Sequence, residues 1–188
     1  PRSSDTADYL FNNCMVDNAL FHDISHSGIN PYLTLHLAQT LLRSGDKRFQ
    51  LPFEAIASMA SDTGMWPEAM HPTLKTGTMG DGQHVWAASE WMLMIKNSFI
   101  LEEEKEEKII LCRSIPHSWL EKEESISFGP ASTAWGALSV FLIPKNGDLI
   151  VRWEGPENGS PDIKVEIESK VITEKNNSNE VIYKGYYK

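Results

Sequence analysis

Between Thr63 and Trp91 the chain reads TGMWPEAMHPTLKTGTMGDGQHVWAASEW, and most of its chemically suggestive side chains fall in this stretch. Glu68 is the first of them. Pro67 restrains the backbone ahead of it, and Met65 and Trp66 surround it with apolar groups. Desolvation raises the pKa of a carboxyl group and suits it to general acid or base work near neutral pH. A turn rich in glycine, Gly80-Asp81-Gly82, then leads into a helix that opens with His84 and Trp86. The backbone N–H groups and dipole at a helix N-terminus favour polar or anionic partners. A neutral imidazole at His84 could donate to a hydroxyl there. Asp81 would cap the helix or hold His84 in one tautomer. Trp66 and Trp86 would serve as stacking platforms. A carboxylate among tryptophans has the surroundings of a saccharide site. The plainer alternatives are that Glu68 caps a turn or pairs with Lys75, and that His84 caps the helix or packs in the core.

Metal binding is the competing chemistry. His22 and His26 are four residues apart, and His71, Asp81 and His84 lie near Glu68 in sequence. An i, i+4 histidine pair binds zinc only when a third ligand converges, and the HExxH pattern is absent. The expectation is therefore no metal. The segment His22–Gly28 could instead be a polar loop at the rim of the site, with His26 or Asn30 touching a ligand. No GxSxG elbow, phosphate loop or GxGxxG fingerprint occurs, so the expected chemistry uses no cofactor.

These residues must be carried by helices and loops before residue 105 and followed by strands after it. Asn30 as N-cap and Pro31 at the first helical position open a helix. Its apolar face is Leu33, Leu37, Ala38, Leu41 and Leu42, and Gly45 stops it. A second helix spans about 49–60 with Phe53, Ile56, Ala57 and Ala60. A third runs from Gln83 to about Leu101 and is apolar on most sides, which implies cover on most sides. The run LEEEKEEK, Leu101 to Lys108, reads as a solvated helix end and hinge. Alternating apolar runs follow at Lys108–Cys112, Ser125–Phe128, Leu138–Ile143, Leu149–Trp153, Ile163–Ile167 and Val181–Tyr186. Turn clusters such as Lys145-Asn146-Gly147-Asp148 separate them. Short strands with such turns predict an antiparallel sandwich or half-sandwich.

The bulk numbers bound the reading. The chain has 188 residues, 41% hydrophobic and 23% charged, which is ordinary for a globular protein. A formal charge of -9 argues against a nucleic-acid or anionic-membrane partner. Two cysteines, Cys14 and Cys112, make no disulfide framework or metal spacing and read as buried free thiols in a reducing, cytoplasmic setting. No apolar stretch is long enough to cross a membrane, and PRSSDTADYL lacks the regions of a signal peptide.

Three motifs in order, Thr63-Gly64-Met65-Trp66-Pro67-Glu68, then Gly82-Gln83-His84-Val85-Trp86-Ala87, then Glu90-Trp91, resemble the late-barrel region of (α/α)6-toroid glycosidases such as α-L-rhamnosidases and glucoamylases. The resemblance extends over roughly residues 30–155 in order of elements. It implies an α+β chain: helical hairpins from the end of a toroid over 1–105, then an antiparallel β-domain over 106–188. It also implies that Glu68 is the general base of an inverting mechanism, activating water against the anomeric carbon. Inversion needs a second carboxylate about 6.5–9.5 Å away as general acid. Before residue 30 the chain offers only Asp5, Asp8, Asp17 and Asp23, so the resemblance places the acid outside this chain. The expectation is then the C-terminal portion of a carbohydrate-active hydrolase. Its toroid would be completed by an N-terminal part or another copy. The alternative is a non-catalytic carbohydrate-binding or structural module.

Overall fold

A computed structural model of the chain describes residues 2–23, 27–80, 82–155, 161–168, 170–172 and 179–187. The chain divides into two compact units, Pro1–Ile95 and Lys96–Lys188.

In the first unit, α1 (Arg2–Asn13) leads into three short strands, β1 (Met15–Val16), β2 (Ala19–His22) and β3 (Gly28–Ile29). Two helices, α2 (Pro31–Arg43) and α3 (Gln50–Ser58), come next. The strands β4 (Ala69–Met70) and β5 (Gly77–Met79) precede α4 (Val85–Phe99), which belongs to this unit as far as Ile95. The start of α2 follows from its residues. The Asn30 side chain accepts from Leu33 N–H at 3.0 Å, and Pro31 occupies a position where no backbone donor is needed. Leu35, Leu37, Ala38, Leu41 and Leu42 are buried along one side. The helix ends where Gly45 takes φ 75° and its N–H returns to the Leu42 carbonyl at 3.0 Å.

The toroid expectation is corrected here. Among the described residues no helical-hairpin toroid forms. The five strands instead pair in the order β1-β2-β3-β4-β5, antiparallel throughout. Both α2 and α3 pack against β2. Thr34 shows why: its hydroxyl donates to the Asn30 carbonyl at 2.7 Å and accepts from Leu20 N–H at 2.8 Å, locking helix to strand. The sheet gives α2 and α3 a partner without further helices, whereas α4, expected to be covered on most sides, leaves Val85, Trp86, Met92 and Leu93 exposed. The strands are two to four residues long, too short for alternation to reveal them in sequence.

The second unit contains β6 (Ile100–Glu103), β7 (Lys108–Leu111), the one-turn helix α5 (His117–Leu120), β8 (Ile126–Thr133), β9 (Gly136–Lys145), β10 (Asp148–Glu154), β11 (Asp162–Ile167), β12 (Lys170–Ile172) and β13 (Glu180–Tyr183). One sheet, ordered β13-β10-β9-β8, is antiparallel. Leu138, Val140, Leu142, Leu149, Val151, Trp153, Val181 and Tyr183 form its buried face. Asn146 and Gly147, both at positive φ, close the β9–β10 hairpin as a turn of that kind requires.

The other sheet, ordered β12-β11-β7-β6, is mixed, because β7 and β11 run parallel. A parallel pair needs a long crossover, and β8 to β10 lie between these two strands in the chain. The expectation of a purely antiparallel domain is corrected on this point. So is the reading of Leu101–Lys108 as a hinge. Ile100 and Leu101 are fully buried and pair with Leu111 and Ile110. The acids that suggested solvent are paired: Glu102 with Lys96 at 2.5 Å and Glu103 with Lys108 at 3.3 Å. Cys112 is buried and free, its thiol pushed up by burial, and Cys14 is half-buried and free. No helix among the described residues is long and apolar enough to cross a membrane.

A charge cluster ties α1 to the α2–α3 connection. Asp46 accepts from Arg48 Nε at 3.1 Å and from its own cap position's Arg48 N–H at 2.9 Å, and Arg48 Nη2 also reaches Asp8 at 2.5 Å. The side-chain bond from Arg48 holds the Asp46 carboxyl below its usual range. A carboxylate depressed on folding contributes stability above its unfolded pKa and loses that contribution as pH falls through the folded value. Asp46→Asn should therefore flatten the fall in stability below about pH 4. Urea denaturation at a series of pH values checks this, and an unchanged slope would dissociate Asp46 from acid unfolding.

Candidate functional site

The 63–91 stretch is built on one buried indole. Trp66 is 2% exposed, its Nε1 donates to the Ile56 carbonyl at 2.8 Å, and its ring lies 5.3 Å from that of Trp91. Trp91 in turn stacks on Phe53 at 4.9 Å. The Trp66 carbonyl accepts from His84 N–H at 2.8 Å, which fastens the Glu68 loop to the start of α4. Trp66 thus occupies the core of the first unit and presents no free ring face for stacking.

Glu68 stands immediately before β4, half-buried. Its place depends on Gly80, at φ 81°, where an added Cβ would come within 3.1 Å of the Glu68 nitrogen and 3.2 Å of its Cβ. The same closeness recurs one step away, where a Cβ on Gly77 would meet Pro67 at 3.1 Å. Gly77 in β5 and Gly80 just after it let this segment pass close to the loop, where an added Cβ would push its neighbours back by a few tenths of an ångström. Lys75 pairs with Asp17 at 3.0 Å rather than with Glu68. Among the described residues the Glu68 carboxylate has no hydrogen bond or ion pair. A hollow of about 480 Å³ adjoins the loop, lined among others by Met65, Pro67, Lys75, Gly80 and Gly82. Glu68 is not itself a lining residue; its neighbours Pro67 and Gly80 are.

His84 caps α4 from just outside it: its carbonyl accepts from Ala88 N–H at 3.2 Å, and the helix proper begins at Val85. Its Nδ1 is buried without a hydrogen-bond partner among the described residues. Trp86 differs from Trp66 in being 53% exposed, and it stacks on Tyr32 at 4.6 Å. Asp81 and His26 lie outside the described residues. Among the described residues no group of three or more His, Cys, Asp or Glu could hold a metal ion.

Tyr32, His36 and Gln39, which motif reading does not single out, gain importance by meeting the start of α4. His36 Nε2 lies 2.9 Å from Glu90 Oε1, Gln39 Nε2 donates to Glu90 Oε2 at 2.7 Å, and Tyr32 lies 5.5 Å from the His84 ring. The available signal was helical spacing: Tyr32, His36 and Gln39 share a face of α2, as Trp86 and Glu90 share one of α4. That signal names a face but not the element it meets.

If Trp66 is structural, Trp66→Phe should lower stability by about 1–3 kcal/mol by stranding the buried Ile56 carbonyl. Thermal unfolding measures it, and a wild-type melting temperature would show the indole N–H to be dispensable.

Compared with models of known protein families, with curated proteins and with solved structures, the chain has no match.

Proposed function

We propose that this chain contributes the general-base half of an inverting glycoside-hydrolysis site, with Glu68 as the base and the general acid supplied from outside the chain. The observation that carries the proposal is the state of Glu68: half-buried, without a partner among the described residues, and set beside a hollow of about 480 Å³. The resemblance of Trp66-Pro67-Glu68 and His84-Val85-Trp86 to the glycosidase motifs supports the same reading. Water would lie between Glu68 and the anomeric carbon, giving its proton to the carboxylate as its oxygen bonds that carbon and the glycosidic C–O bond breaks, the departing oxygen taking a proton from the general acid outside the chain. His84 would position the sugar or the water, and Trp86 would take a sugar face.

Glycosyl fluorides suit the test, because fluoride departs with little need for a general acid. Water adds to the anomeric carbon, the C–F bond breaks, and Glu68 takes the proton. The chain should release fluoride from at least one of a panel of glycosyl fluorides. Glu68→Gln should reduce that release at least about a hundredfold, in the range expected for loss of a general base. Equal release by the variant would remove Glu68 from the chemistry.

The exposed ring of Trp86, stacked on Tyr32, favours a second reading, a non-catalytic carbohydrate-binding module. Saccharide binding without fluoride release from any member of the panel would select it.

A further inference from the structure

We propose that His36, held by Glu90, is the hydroxyl-reading group of a saccharide subsite whose platform is Trp86 stacked on Tyr32, an assignment that rests on the carbohydrate reading above. The faces of α2 and α4 that carry these residues meet in two layers. In the outer layer Tyr32 stacks on Trp86, with ring centroids 4.6 Å apart and planes 18° from parallel. The His36 ring meets Tyr32 edge-on at 5.9 Å. Trp86 remains 53% exposed and the His36 side chain 45%. Behind them the Glu90 side chain is only 15% exposed, and Gln39 is buried.

The inner layer fixes the chemistry of the outer one. An ionised carboxylate only accepts hydrogen bonds, so the imidazole nitrogen 2.9 Å from Glu90 Oε1 carries the hydrogen. Gln39 holds the other carboxylate oxygen at 2.7 Å and keeps Glu90 from turning away. Neutral His36 is thereby set as the Nε2–H tautomer, with its acceptor lone pair on Nδ1. Glu90 is a positioning residue, and His36 makes the contact.

Trp86 presents an exposed indole beside the half-exposed His36 imidazole. A ligand that matches has an apolar C–H face to lie on Trp86 and hydroxyl groups at its edge to donate to His36 Nδ1. A pyranose has both.

The test combines tryptophan fluorescence titration with ¹⁵N spectra of the histidines, using maltotriose, cellotriose and methyl α-L-rhamnoside as probes. In the free protein His36 should give the Nε2–H tautomer, and Glu90→Gln should mix the tautomers. At least one probe should quench the fluorescence and shift the His36 Nδ1 signal. His36→Ala and Glu90→Gln should each weaken its binding about fivefold, as for one lost hydrogen bond, with little change in melting temperature. Trp86→Ala should abolish the quench. Wild-type affinity in both His36→Ala and Glu90→Gln would overturn the subsite. If Glu68→Gln still suppressed fluoride release in that case, the hydrolase reading would survive alone. No response to any probe together with no fluoride release would overturn both.

Discussion

The buried indole of Trp66 joins parts of the first unit that lie far apart in sequence. Its N–H ends on the Ile56 carbonyl in α3, its ring lies against Trp91 in α4, and its carbonyl receives the His84 N–H at the head of the same helix. An indole has one donor and a large apolar body, so burying it is favourable only when the donor is satisfied. Satisfying it here fixes α3, the Glu68 loop and α4 together. The position of Glu68, two residues on, follows from that constraint and from the close passage of Gly80.

The two tryptophans that seemed equivalent in the sequence thus part ways. Trp66 is the anchor and Trp86 the exposed ring. The difference arises from their elements. Trp66 sits where a loop crosses α3, whereas Trp86 lies in the first turn of α4, on the side that faces Tyr32. Charged residues were redistributed in the same way. Lys75, the obvious partner for Glu68 by proximity in sequence, instead reaches Asp17 in the β1–β2 turn. Asp17 and Asn18 both take positive φ there, as a two-residue hairpin turn requires. A partner 58 residues away could not be read from local spacing.

The second unit was more legible, for a physical reason. Its strands β9 and β10 are ten and seven residues long, and buried side chains recur at every second position through several periods, whereas the run Ser125–Phe128 marks only the first part of β8. The Lys145–Asp148 turn carries its own signature in Asn146-Gly147. What failed was the acidic run. Glu102 and Glu103 suggested solvent, but Ile100 and Leu101 beside them are core residues, and Lys96, Lys108 and Arg113 balance the acids. Composition registers the charge without registering the cations that meet it across the sheet.

By itself the sequence determined what local forces decide. The Asn30-Pro31 start and Gly45 stop of α2, the long strands and their tight turn, and the gathering of chemically useful side chains between Thr63 and Trp91 all follow from capping, periodicity and turn preference. Tertiary structure alone decided what covers the helices. A sheet of very short strands does so for α2 and α3, and among the described residues the toroid expected from motif resemblance does not form. It also decided which tryptophan is exposed, that Glu68 is left without a partner among the described residues, and that His36 meets Glu90. Each of these depends on pairings between distant segments. Their free energy comes from contacts that no window of neighbouring residues contains.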